Sequence, residues 1–364
     1  MSMQRIVIVG NGIAGVTAAD TLRAQGFDGE ITLIGDEPHA AYSRPALSKA
    51  LLRDPEDLAS HELPPPVHGA TEMRGVRAVG LDAEGKVVKT DGGEVDYDCL
   101  IIATGCRARR LPQESAEQLT LRTLDDAWQL RAHVAGKPSV IVVGGGPLGM
   151  EIASSCLDSG CDVVLVSQGP PLRLQLGEYL SGILANAAQT RGLRIVETVG
   201  ARIGEGARVS LAEGQILEAE LVITAVGDVP NVEWLAHTGL LTDGSLVTDP
   251  AGRLRPDIVA AGDVATVPTP NGYRRVPLWS AAIDQAKTAA TALLTGEQRP
   301  HEARPYFWTE QFGLSLKAVG TLPLVGEPEV VEAGPEPERM LLRWDGAAVA
   351  INYRIPIPRL RRLA

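Results

Sequence analysis

The sequence predicts an α/β fold: two Rossmann-like, doubly wound lobes followed by a small C-terminal α+β domain. Three observations predict it. A strand, a glycine turn and a helix open the chain; the same unit recurs more than a hundred residues later; and the composition turns aromatic and strand-like after Gly296.

The opening run Ile6-Val7-Ile8-Val9 is uniformly β-branched and reads as a strand buried on both faces. Gly10, Gly12 and Gly15 follow at G-x-G-x-x-G spacing, and Val16 to Ala24 continue with good helix formers. In this pattern the first glycine permits the tight turn, the second lets a pyrophosphate approach the backbone, and the third lets helix and strand pack closely. The free N–H groups and positive dipole end of the helix then face the phosphates. A second apolar run, Ile31-Thr32-Leu33-Ile34, leads to Asp36. That is about 20 residues past the last glycine, where a ribose-binding carboxylate belongs.

Pro38 and Pro45 bracket the segment Tyr42-Ser43-Arg44-Pro45-Ala46-Leu47-Ser48-Lys49, and Arg53 to Thr71 is polar and proline-rich, a loop. Strand-like runs resume at Val76 to Leu81 and Val87 to Thr90. Asp98 to Gly105 reads as a buried strand whose end, Ala103-Thr104-Gly105, is small enough to admit a ligand close to the backbone. The opening pattern then repeats. Val140 to Val143 is a strand, Gly144, Gly146 and Gly149 form the second fingerprint, a helix runs to about Ser159, and Asp162 to Val166 closes the unit. Two dinucleotide fingerprints in one chain imply two nucleotides held face to face, one a prosthetic group and one a substrate. Leu221 to Gly227 is again strand then glycine. Asp257 to Val264 ends in Gly262-Asp263, and a helix runs from Ala281 to about Leu294. Tyr306, Phe307 and Trp308 open the last domain, with strands at Leu314 to Val319, Met340 to Trp344 and Ala347 to Tyr353, and the chain closes on a basic tail, Arg354 to Arg362.

Length and composition bound the rest. The 364 residues suffice for two or three domains, and 45% hydrophobic with 22% charged residues is ordinary for a globular protein. A net charge of −11 argues against general nucleic-acid binding. Cys99, Cys106, Cys156 and Cys161 have no metal-ligand spacing and suit a reducing cytosol, and the scattered histidines argue no metal site. The apolar run after Arg5 is broken by glycines, so it does not read as a signal peptide, and no stretch reaches the roughly 18 apolar residues of a membrane span. The expected location is the cytoplasm.

Six motifs, in order, resemble those of the FAD-dependent ferredoxin and rubredoxin reductases, a branch of the pyridine nucleotide–disulfide oxidoreductases with the glutathione-reductase type of fold and with apoptosis-inducing factor as a cousin. They are Gly10 to Gly15, Tyr-x-Arg-Pro-x-Leu-Ser-Lys at Tyr42 to Lys49, Ala103-Thr104-Gly105, the second fingerprint from Gly144 to Glu151, Ala261-Gly262-Asp263, and Phe-Trp-Thr-Glu-Gln at Phe307 to Gln311. The resemblance implies that Gly10, Gly12, Gly15 and Asp36 hold the adenosine and pyrophosphate of FAD, with Arg44, Lys49 and Arg109 reaching toward the cofactor and Ala103, Thr104 and Gly105 against it. Gly262 and Asp263 would serve the ribityl chain, and Trp279 and Trp308 would lie near the flavin ring. Gly144, Gly146, Gly149 and Glu151 would serve NAD(P)H. Lys49 and Glu151 match the family's ion pair beside the reactive edge of the flavin. The implied domains are an FAD-binding domain at 1–110 and 234–300, a nicotinamide-binding domain at 111–233, and a short interface domain at 301–364.

The implied activity is hydride transfer from NAD(P)H to FAD, then single electrons to a [2Fe–2S] ferredoxin or a rubredoxin. That partner would feed a haem-thiolate monooxygenase or a ring-hydroxylating oxygenase. Two alternatives stay open: a flavoenzyme acting directly on a small molecule, and a redox-sensing interaction protein like apoptosis-inducing factor. Where NAD-preferring members carry an acid after the second unit, this chain has Ser167 and Gln168, so NADPH is permitted with Arg173 in reach of a 2′-phosphate, and NADH remains open. Pro277 stands where relatives carry a carboxylate. The C-x-x-x-x-C pair Cys156 and Cys161 lies in the second unit, away from the family's redox cysteines, and reads as core. Cys106 also reads as structural. The arginine tail reads either as a steering surface for an acidic ferredoxin or as a frayed terminus.

Overall fold

The computed structural model describes residues 3–49, 52, 61–64, 66–111, 118–270, 272–297, 304–334 and 339–364. Residues 53–60 and 65 of the Arg53 to Thr71 loop therefore lie outside the described residues, and Thr71 already opens a strand. The chain forms two compact units, one from Met1–Ser43, Ala59–Arg107 and Val229–Arg304, the other from Arg44–Leu58, Ala108–Asp228 and Pro305–Ala364.

In the first unit, the β-branched opening run becomes the strand Arg5–Val9, inside a sheet of six among the described residues. The order is Arg253–Arg255, Ile258–Ala260, Cys99–Ile102, Arg5–Val9, Glu30–Gly35, Thr71–Arg74. From Ile258–Ala260 onward the strands are parallel. Alternation divides the opening strand between two cores. Ile6 and Ile8 face the helices Ile13–Ala24 and Trp279–Thr295, while Val7 and Val9 join Val88 and Tyr97 on the opposite face. The two helices pack through Ala14, Ala18 and Ala19 on one and Ala282, Ala286 and Ala289 on the other, small side chains that allow close approach. The antiparallel strands Ala78–Asp82, Val87–Thr90 and Gly93–Asp96 cover the other face of the sheet. The expected strand at Val76 to Leu81 thus starts two residues later. Val76 instead donates its N–H to the Gly35 carbonyl at 2.9 Å.

The second unit repeats the plan. Its parallel sheet runs Arg194–Glu197, Asp162–Ser167, Ser139–Val143, Leu221–Thr224, with the helix Pro147–Asp158 packed on the two middle strands. On the face that Ile141, Val143 and Val222 present lies a three-stranded antiparallel sheet carrying Ile203, Val209 and Leu217. The helix Pro147–Asp158 ends in a Schellman turn. Gly160, at φ +89°, donates to Leu157, and Cys161 donates to Cys156. That turn brings the side chains of its third-last residue and the residue after the glycine together, so Cys156 and Cys161 touch for a local reason. Both are buried and unbridged, and their shared hydrogen bond, then burial, pushes the Cys156 thiol up.

The last residues of this unit form a five-stranded antiparallel sheet in the order Tyr306–Gln311, Leu314–Gly320, Ala347–Ile351, Met340–Trp344, Glu329–Ala333. The chain end is not frayed. It folds into the helix Ile357–Arg361, started by Pro356 and Pro358, and inserts a fully buried Leu360 beside Val319, Ala348 and Ala350. Burial of a leucine contributes about 1.5–3 kcal/mol, enough to fix so short a helix.

Candidate functional site

Both fingerprints fold into the same turn, one in each unit. Gly10 donates its N–H to Ile34 at 2.7 Å and Gly144 donates to Val166 at 2.8 Å, each tying the turn to the neighbouring strand. Both have φ in the left-handed half of the map, +119° and +128°. A Cβ on Gly10 would stand 2.0 Å from the Ala103 carbonyl oxygen, and one on Gly144 would stand 2.2 Å from that of Ala225. A Cβ on Gly15 would stand 1.9 Å from the Gly10 oxygen, and one on Gly149 would stand 1.8 Å from the Gly144 oxygen. The middle glycines differ in kind. A Cβ on Gly12 meets nothing within 4 Å, and one on Gly146 meets only Gln175 Nε2 at 3.9 Å.

This geometry fits a bound dinucleotide. The outer glycines are demanded by the protein's own backbone, whereas the middle ones line open space at a helix N-terminus. Gly12 and Gly146 are the N-caps of their helices, and neither helix has a side-chain cap or an acid in its first turn. The first N–H groups are therefore left for an outside acceptor. In each sheet the turn follows the strand at which the chain order reverses, the expected place for a nucleotide in an open α/β sheet.

Other predicted residues of the first unit gather at the same sheet edge. Ala103, Thr104 and Gly105 follow the strand Cys99–Ile102 next to the turn. Thr104 Oγ1 donates to the Asn231 carbonyl at 2.8 Å, and Asn231 donates back to Gly105 and Thr104. Gly262 and Asp263 follow the adjacent strand Ile258–Ala260. The Gly262 N–H is taken by Oε1 of the buried Gln285, and the Asp263 carbonyl accepts from Cys106 and Arg275. Trp279 is the first residue of its helix and half-buried. Asp36 is exposed just beyond Glu30–Gly35, while its neighbour Glu37 accepts a 2.7 Å hydrogen bond from Tyr42 Oη.

Arg44, Lys49, Arg109 and Trp308 belong to the second unit. Arg44 opens a 3₁₀ turn and donates to the Arg122 carbonyl at 2.9 Å, and Arg109 is exposed and donates to the Asp228 carbonyl at 3.1 Å. Trp308 stacks on Tyr306, with ring centroids 5.5 Å apart at 13°, as residues two apart on one strand face do. Ser167 ends its strand beside the turn, and a Cβ on Gly145 would fall 2.1 Å from its hydroxyl. Arg173 follows Gly169, its guanidinium half-exposed and 3.9 Å from Glu178.

Lys49 and Glu151 form a buried ion pair at 2.8 Å. Lys49 Nζ also donates to the Pro45 carbonyl at 3.1 Å. Glu151 projects inward from the second turn of Pro147–Asp158 and accepts from Ser48 Oγ and Thr309 Oγ1 as well. Sequence reasoning marked the pair but not Ser48, Thr309 or Gln311 as its support, although all three sit inside motifs it had quoted. Among the described residues no group of side chains has metal-binding geometry, and no helix is long and apolar enough to cross a membrane.

Comparison with known proteins agrees with this geometry. Residues 4–286 match the family model for pyridine nucleotide-disulphide oxidoreductases. Rhodocoxin reductase of Rhodococcus erythropolis is 37% identical over 86% of this chain and 78% of its own length. The ferredoxin–NAD(+) reductase component of a 3-phenylpropionate/cinnamic acid dioxygenase from Photorhabdus laumondii is 34% identical over 100% of this chain and 96% of its own. Among solved structures, putidaredoxin reductase in its covalent complex with putidaredoxin aligns with a TM-score of 0.86 at 27% identity, over 99% of this chain and 91% of that one.

Proposed function

Because the chain belongs to the pyridine nucleotide-disulphide oxidoreductase family, we infer that it is an FAD-dependent NAD(P)H:ferredoxin reductase serving an oxygenase system. The single observation that carries this reading is the repeated glycine cradle, one per unit, each open only at its middle glycine. When bound, FAD and the dihydronicotinamide supply the chemistry, a two-electron input released as single electrons to an iron–sulfur protein.

The chain's own residues bind and orient. Gly10, Gly12 and Gly15 hold the FAD pyrophosphate, with Ala103 to Gly105 and Gly262-Asp263 beside it and Asp36 or Glu37 at the ribose. Gly144, Gly146 and Gly149 hold the nicotinamide nucleotide, with Ser167 and Arg173 at its adenosine ribose. The lack of a carboxylate at Ser167 leaves room for a 2′-phosphate, so the second cradle accepts NADPH as well as NADH. Lys49 and Glu151 hold a paired positive and negative charge, and the resemblance gives these two positions to the reactive edge of the flavin and the positions of Trp279 and Trp308 to its ring. In this reading 1–110 and 234–300 serve FAD, 111–233 serves the nicotinamide nucleotide, and 301–364 meets the partner. Exposed Arg354, Arg359, Arg361 and Arg362 on the docked tail suit an acidic ferredoxin. The acidic composition and unbridged thiols suit the cytoplasm.

A steady-state assay tests the reading. NAD(P)H-driven cytochrome c reduction by the FAD-loaded protein is expected to need an added [2Fe–2S] ferredoxin or rubredoxin. Equal rates with and without the iron–sulfur protein would refute it.

A further inference from the structure

We propose that Thr309 and Gln311 are positioning residues, a two-step hydrogen-bond relay that fixes the Glu151 carboxylate and thereby the Lys49 ammonium. The proposal rests on the reading that this pair works beside the flavin. The residues are almost fully excluded from water: Thr309 is 0% exposed, Gln311 2%, Ser48 3%, Glu151 6% and Lys49 9%.

The direction of each hydrogen bond follows from the donors available. Glu151 Oε2 accepts from Lys49 Nζ at 2.8 Å and from Ser48 Oγ at 2.5 Å. Glu151 Oε1 accepts from Thr309 Oγ1 at 2.6 Å. A threonine hydroxyl has one proton, and an ionised carboxylate can only accept it, so the hydroxyl donates to Glu151 and its oxygen is left for another group to donate to. Gln311 does so, through Nε2 at 2.8 Å, while Gln311 Oε1 has no partner among the described residues. The glutamine amide therefore orients the hydroxyl, and the hydroxyl orients the carboxylate.

The backbone makes this possible by two periodicities. Thr309 and Gln311 are two apart on the edge strand Tyr306–Gln311 and so share one face, opposite the face of the Tyr306–Trp308 stack. Glu151, Ser154 and Ser155 lie at i, i+3 and i+4 of the helix Pro147–Asp158 and form one polar stripe. Ser154 Oγ accepts from the Phe312 N–H at 2.7 Å, and Ser155 Oγ donates to the Ser48 carbonyl at 2.8 Å. The stripe thus clamps the strand on one side and the Ser48-Lys49 segment on the other. Leucines 314 and 316 pair with Gln311 and Thr309 in the sheet, so aliphatic residues would have filled this face without the desolvation cost of buried polar groups. A threonine and a glutamine there serve the Glu151 charge, which Thr309 contacts directly and Gln311 reaches through Thr309.

The test uses the FAD-loaded protein and the variants T309V, T309S, Q311L, T309V/Q311L and E151Q. Anaerobic bleaching of the flavin by NADH and NADPH gives a limiting rate and a nucleotide Kd, and dye equilibration gives the flavin reduction potential. T309V is expected to slow the limiting rate roughly ten-fold, the weight of one hydrogen bond to a charged group, with Kd within about two-fold. T309S is expected to restore both rate and potential, and Q311L to slow the rate about three-fold by freeing the hydroxyl. The double variant is expected to be no slower than T309V, because Gln311 acts through Thr309. Equal behaviour of T309V and T309S, or losses that multiply in the double variant, would overturn the relay. An E151Q protein with the parent rate would instead defeat the reading of the ion pair itself. Slow E151Q with parent-like T309V defeats the relay alone. Should T309V fail to fold, Q311L decides: a parent-like rate and potential overturn the proposal.

Discussion

Gly12 and Gly15 stand three residues apart in one turn, and alanine at each should have opposite consequences. Gly12 sits at φ −97° and ψ −170°, extended backbone open to any residue, and its added Cβ meets no atom within 4 Å. Gly12→Ala should therefore leave the apo fold intact and even gain about 0.4–1 kcal/mol through the unfolded chain. The methyl group would fill the space left for pyrophosphate, and overpacking of about 1–3 kcal/mol corresponds to FAD binding weakened roughly 5- to 150-fold. At Gly15 the Cβ would stand 1.9 Å from the Gly10 oxygen, where ordinary contact begins at 3.4 Å. Backbone must then move by about 1.5 Å, so Gly15→Ala should destabilise the apo protein by about 3 kcal/mol or more. Thermal melting of the apo proteins and titration with FAD, followed by flavin fluorescence, read both effects. A Gly12→Ala protein with parent FAD affinity, or a Gly15→Ala apo protein with the parent melting temperature, would refute the cradle argument.

Further outcomes follow from other parts of the structure. Arg173→Ala is expected to raise KM for NADPH roughly ten-fold while KM for NADH stays within about two-fold; equal shifts would remove Arg173 from the ribose site. Cys156→Ala/Cys161→Ala should keep ferredoxin-dependent turnover within about two-fold, because the thiols meet through a helix-ending turn and not as a redox pair; loss of turnover in a folded, FAD-loaded protein would contradict this. Tyr97 is fully buried, its hydroxyl has no partner among the described residues, and burial, with Asp257 nearby, pushes it from 10.0 up to about 12. A folded state that holds this proton more tightly than the unfolded chain gains stability below pH 10 and loses it as pH rises from 10 to 12. Tyr97→Phe should flatten that alkaline loss in urea titrations and cost nothing at pH 7. Leu360→Ala should lower stability by about 2–5 kcal/mol and release the tail helix, read by melting and by proteolysis at Arg359 or Arg361.

The parts of the fold legible in the sequence were those set by local rules. The run Ile6 to Val9, the two glycine turns and the alanine-rich helix after Asp263 each follow from short-range sterics and periodicity. The helix Trp279–Thr295 starts two residues before the expected Ala281, since the proline before Leu278 marks a boundary only approximately. The support around Glu151 was not legible. Ser48, Thr309 and Glu151 lie more than a hundred residues apart in sequence, and only packing of a strand on a helix shows that they meet. The tail stayed undecided for the same reason. By composition Arg354 to Arg362 reads as a steering surface or as a frayed terminus, and only the structure removes the second, by seating Ile355 and Leu360 on a sheet whose strands lie elsewhere in the chain.

Anaerobic mixing of the yellow, FAD-loaded protein with one equivalent of NADH or NADPH, followed by a second mixing with oxidised ferredoxin, tests the central claim most directly. The account requires rapid flavin bleaching by at least one nucleotide, then return of the flavin absorbance only when ferredoxin is present, with two ferredoxins reduced per nucleotide consumed. A protein that takes up no FAD, or a bleached flavin that ferredoxin leaves reduced, would contradict it.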